Sequence, residues 1–115
     1  MPLDSTQLKM DATKRNFLFR QGTPLTDALT LLYHQWGQET PTLFDPMTIA
    51  YMIEPNLCPV VPMSIRVDDK GFTRPVDAGT AADPKNGRAA PNAEVCLKSN
   101  PDDFFHFLIP RLASQ

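Results

Sequence analysis

TLFDPMTIAYMI, Thr42 to Ile53, is the stretch whose reading decides what kind of body this chain is. Asp45-Pro46 has the form of a helix start. An aspartate can accept from the free N–H groups of the first turn, and proline suits the first helical position because its missing donor would be unpaired there anyway. Met47, Ile49, Ala50, Tyr51, Met52 and Ile53 follow, apolar on nearly every side, and Pro55 closes the run. A short helix of this kind is expected to be buried. Asp45 itself has two readings at this point, a helix cap or a metal ligand whose partners lie elsewhere.

Working toward the N-terminus, Thr23-Pro24 opens a longer helix. Leu25, Ala28, Leu29, Leu32 and Trp36 recur at helical spacing as one apolar stripe for a core, and Gly37 ends it. Asp11 caps an earlier helix over Ala12 to Gln21, stopped by Gly22, and PLDSTQLKM from Pro2 reads as a short strand. Toward the C-terminus the pattern changes. VVPMSIRVDDKGFTRPVD reads as two extended runs joined by a turn at Asp69-Lys70-Gly71. Ala78 to Asn92 is a loop of small residues, and Ala93 to Leu97 a short strand. Asn100-Pro101-Asp102-Asp103 opens the last helix, whose apolar face is Phe104, Phe105, Leu108 and Leu112. Pro110 is expected to kink or end it.

Composition narrows the class. The 115 residues amount to one domain or part of one, with the apolar and charged shares of a globular chain. Net charge is −2 with Lys and Arg scattered, so no basic stripe points to nucleic acid and no polybasic patch to a membrane. No apolar run approaches the ~18–20 residues that cross a bilayer. Asp4, Lys9 and Asp11 fall where the apolar core of a signal peptide would have to be. The twelve prolines are spread out and read as element boundaries. Cys58 and Cys96 match no zinc or thioredoxin-type spacing; they read as two semi-buried thiols or as one disulfide.

The elements do not add up to a closed core. The first strand has no sequence neighbour to pair with, the Met47–Ile53 segment asks for cover on every side, and three or four short strands make a small sheet. The chain reads as the second half of something larger.

PLDSTQLKM, FDPMTIAYMIEPNL, VDDKGFTRP and NAEVCLKSNPDDFFHFLIPRL, in that order, resemble the C-terminal part of the inosine/uridine-preferring nucleoside hydrolases. The resemblance covers nearly all of residues 1–115. Its most specific piece is the aromatic-Asp-Pro head of an apolar helix. It implies an α/β fold, the C-terminal portion of an open, Rossmann-like nucleoside hydrolase domain, with helices and a small hairpin-containing sheet. It also implies calcium-dependent cleavage of the N-glycosidic bond of ribonucleosides. The calcium, held by an N-terminal aspartate cluster, a backbone carbonyl and the aspartate at position 45, would activate the attacking water. A hard cation asks for ~6–8 oxygen ligands, and its charge makes a bound water more acidic.

By this resemblance Asp45 is the one calcium ligand in the chain. Asp68-Asp69 and Asp102-Asp103 read as turn and helix-start acids, so the remaining ligands are expected in an N-terminal half absent here. The implied partners are a ribonucleoside substrate and either that missing half or a family-type homo-oligomer. Phe44 stands where many members carry a histidine that protonates the departing base. An aromatic there can stack on the base, which tilts the implied activity toward purine nucleosides; it can also simply staple the helix start. Tyr33 and His34 lie in the region that covers the leaving group in that family. Trp36 belongs to the apolar stripe and reads as core.

Overall fold

The computed structural model describes residues 7–76 and 90–115. The helical half begins with α1 (Ala12–Phe19), where the Asp11 carboxylate accepts from the Lys14 N–H at 3.0 Å and from Lys14 Nζ at 2.8 Å. α2 (Pro24–Trp36) starts on a capping box in which threonine takes both roles. The Thr26 N–H donates to Thr23 Oγ1, and the Thr23 N–H donates back to Thr26 Oγ1. Gly37 then stops the helix at φ 71°, a left-handed conformation that costs glycine nothing. α3 (Phe44–Ile53) runs into a single 3-10 turn, Pro55–Leu57. α4 (Pro101–Ala113) is capped by the Asn100 side chain, which accepts from the Asp102 N–H at 3.0 Å.

These helices share one core. Leu8, Met10, Leu18, Met47, Ala50, Leu57, Cys58, Cys96, Phe104 and Phe105 form a single buried cluster. α4 packs on α1, α2 and α3, with Phe104 and Phe105 meeting edge to face at 5.2 Å. Leu8 enters the core because the chain beside it is held as an isolated antiparallel bridge, Lys9 against Thr42. Of the expected Pro2–Met10 strand only that bridge falls in the described residues; residues 1–6 lie outside them. Most of the expected Ala78–Asn92 loop, residues 78–89, lies outside them as well.

The strands form a mixed helix-and-strand body, but not the expected single hairpin sheet. The run after Pro59 divides at Ser64. β1 (Val60–Met63) pairs antiparallel with β4 (Ala93–Cys96), in the register Val60 to Cys96, while β2 (Ile65–Val67) pairs with β3 (Thr73–Pro75). Asn92 splices the two ribbons. Its side-chain amide accepts from the Ile65 N–H and donates to the Ile65 carbonyl, both at 2.8 Å, imitating a strand neighbour where β1 gives way to β2. The ribbons extend the molecule to a radius of gyration of 18.2 Å, against about 13 Å for a compact chain of this length.

The β2–β3 turn rests on Asp68. Its carboxylate accepts from the N–H groups of Lys70 and Phe72 and from Arg74 Nε, and Gly71 closes the turn at φ 85°. The Phe72 N–H, with Arg74 and Lys70, holds this carboxyl below its ordinary value of 3.8. A depressed carboxylate stabilises the folded turn above its unfolded pKa, and that stabilisation is lost as pH falls through the lower folded value. Acidification below about pH 4 is therefore expected to raise amide exchange at Lys70 and Phe72 first. Asp68→Ala should produce the same local loosening at neutral pH.

Four expectations are corrected. α3 is not buried on all sides: Met47 and Ala50 face the core, while Ile49, Met52 and Ile53 are 59%, 75% and 61% exposed. α4 and the 3-10 turn that follows α3 supply cover on one side only. The α2 stripe is likewise half open, with Leu32 and Trp36 exposed and Thr26 the residue turned fully inward, so Trp36 is not core. Asp45 is not the N-cap of α3. Leu43 occupies that position, and its aliphatic side chain has no acceptor with which to cap; its N–H donates to the Leu8 carbonyl at 2.9 Å, and the bridge fixes the chain up to that point. Asp45 lies inside the first turn, where its charge still favours the helix N-terminus. Pro110 does not end α4, which continues to Ala113; proline sits on the exposed side, where water can meet the carbonyl it leaves unbonded. Cys58 and Cys96 form a disulfide with a Cα separation of 5.7 Å, within the ordinary range, joining the turn before β1 to the end of β4.

Candidate functional site

The half-covered faces of α2 and α3 meet across an open groove of about 1060 Å³. Leu29, Leu32 and Trp36 line one wall, Ile49 and Ile53 the other, with Leu108 and Leu112 of α4 at its base. The spacing explains it. On α3, Met47, Ala50 and Tyr51 form one i, i+3, i+4 stripe toward the core, and Ile49, Met52 and Ile53 form a second stripe on another side. The residues of the second stripe are each more than half exposed.

Three charged side chains line this apolar groove: Asp45, Arg15 and Arg111. Asp45 is exposed, in the first turn of α3. Arg15 is only 8% exposed; its Nη1 donates to the Met10 carbonyl at 2.7 Å and to Thr40 Oγ1 at 3.4 Å, and its guanidinium lies 5.3 Å from the Tyr33 ring centre. Arg111 stacks on the Phe107 ring at 3.7 Å and donates to the Phe107 carbonyl.

Among the residues singled out from the sequence, Tyr33 and Asp45 line the groove together, while Phe44 and His34 are not part of its lining. Phe44 is half exposed beside Asp45. The Tyr33 hydroxyl donates to the Glu39 carbonyl at 2.6 Å, and its ring leans on Phe19 at 5.3 Å, so its polar end is already engaged. His34 is exposed and touches the edge of Tyr33 at 5.5 Å. Sequence reasoning missed Arg15 and Asn92. Arg15 could have been found from its i, i+3 relation to Leu18 on the inward face of α1; Asn92 carries no local signal, because its role depends on the distant Ile65.

The described residues do not by themselves fit calcium. No group of three His, Cys, Asp or Glu side chains among them lies close enough to hold an ion, and Asp45 is the lone carboxylate lining the groove. One carboxylate cannot replace the ~6–8 oxygens that the ion takes. No family model matches the chain, and no curated protein is significantly similar to it.

Proposed function

We propose that the chain is the C-terminal portion of a nucleoside hydrolase fold of the inosine/uridine-preferring type, contributing one wall of a site that cleaves the N-glycosidic bond of ribonucleosides. The observation that carries this reading is the Phe44-Asp45-Pro46 head of a helix that is apolar on all sides yet covered on only one. A catalytic body whose core and carboxylates continue in another segment accounts for both features. Asp45, exposed at that helix head, is the residue that would face a metal held mainly by carboxylates outside this chain. Phe44, exposed beside it, is available to stack on a purine and has no proton to donate.

A second reading is favoured by the lone carboxylate: an interaction module that keeps the helices of this fold without its chemistry. Ribose release from inosine, adenosine and uridine separates the two. The chain alone is expected to show no turnover, and the chain combined with a segment carrying an aspartate cluster is expected to release ribose, faster from the purine nucleosides. No release from the combination under any metal condition would favour the interaction module.

A further inference from the structure

Two methionines of α3 meet opposite fates. Met47 is 1% exposed inside the core, and Met52, further along the same helix, is 75% exposed. At 3.6 residues per turn the second side chain stands about 140° round the helix from the first. We propose that Met52 is a site of reversible oxidation, where a hydroperoxide converts its thioether to the sulfoxide and makes the open stripe of α3 polar while the fold stays intact. This inference rests on exposure and sulfur chemistry and not on the hydrolase reading.

The other sulfur atoms of the described residues are spent or sheltered. Cys58 and Cys96 are already joined, which leaves no thiol to intercept the oxidant. Met10 and Met47 belong to the buried cluster, and Met63 is half-buried in β1. A buried thioether must wait for a local opening before peroxide reaches it, whereas Met52 needs none. In the step, the Met52 sulfur attacks one peroxide oxygen; the S–O bond forms and the O–O bond breaks. The sulfur loses two electrons, and the other oxygen leaves as water or an alcohol, carrying the proton of the oxygen transferred. Methionine sulfoxide reductases reverse the change. Ile49 and Ile53 flank Met52 on the open stripe, so the sulfoxide places a strong acceptor among apolar side chains. Met52 is no member of the core cluster, so the new polar atom stays in water. The same oxidation at Met47 would bury it.

Limited hydrogen peroxide treatment of the full disulfide-bonded chain, read by peptide-resolved mass spectrometry, tests this. Sulfoxide at Met52 is expected to form at least about 10-fold faster than at Met10 or Met47. The form oxidised at Met52 should elute earlier from a phenyl column with unchanged helical circular dichroism. Treatment with both methionine sulfoxide reductases should restore the original elution. Met52→Leu keeps an apolar side chain at an exposed position, so it should fold alike and lose that early form. Oxidation of Met10 or Met47 as fast as Met52 would overturn the proposal. So would loss of helical signal on Met52 oxidation, or an unchanged elution of the Met52 sulfoxide.

Discussion

Reduction of the Cys58–Cys96 disulfide is expected to cost the fold about 4 kcal/mol, the chain-entropy value for a loop of 38 residues. The effect is large here because the core is small and one-sided. Both cysteines are members of the buried cluster, at 0% and 5% exposure, and they tie the β1–β4 ribbon to the helices. Without the bond, the ribbon would be held by short antiparallel pairing, and two-stranded ribbons are marginal alone in water. A Cys58→Ala, Cys96→Ala chain should therefore unfold at a much lower urea concentration than the oxidised protein. The change should appear as a lower midpoint, with loss of amide protection in Val60–Met63 and Ala93–Cys96 ahead of α4. Equal midpoints for the two proteins would show that the bond adds nothing to this core. The same pairing favours folding in an oxidising compartment, since such bonds rarely persist in the reducing cytosol.

Much of the helical half was legible from short signals. Asp11, Thr23-Pro24, Gly37 and Asn100-Pro101 each mark an element end through chemistry that acts within three or four residues, and each mark stands in the structure. Burial was less legible. Leu32, Trp36, Ile49 and Ile53 have the spacing of core residues, but periodicity says which side of a helix is apolar and not whether anything covers it. Strand pairing failed for a related reason. The turn around Gly71 closes β2 on β3 as its local chemistry indicates, but β1 pairs with β4, a partner thirty or more residues away that no local signal marks. Asp45 shows the same limit at one residue: the local pattern says cap, while the long-range bond from Leu43 to Leu8 moves the helix start before it.

The largest functional effect is expected at that residue. If this chain supplies a single ligand to a metal held mostly by another segment, Asp45→Asn keeps the size and the helix and removes only the charge. Changes merely behind a metal ligand typically cost 10–100-fold, so loss of the ligand itself should reduce turnover by at least about 100-fold. Stability should barely move, because Asp45 is exposed and caps nothing. Phe44→Ala should act differently, slowing inosine more than uridine while leaving metal dependence intact.

The decisive measurement is calcium-dependent ribose release from inosine by this chain assembled with an aspartate-cluster segment, comparing the natural chain with Asp45→Asn. The account predicts turnover in the first and at least about a 100-fold loss in the second, with both assemblies equally folded. Equal turnover by the two, or turnover by the 115-residue chain alone, would contradict it.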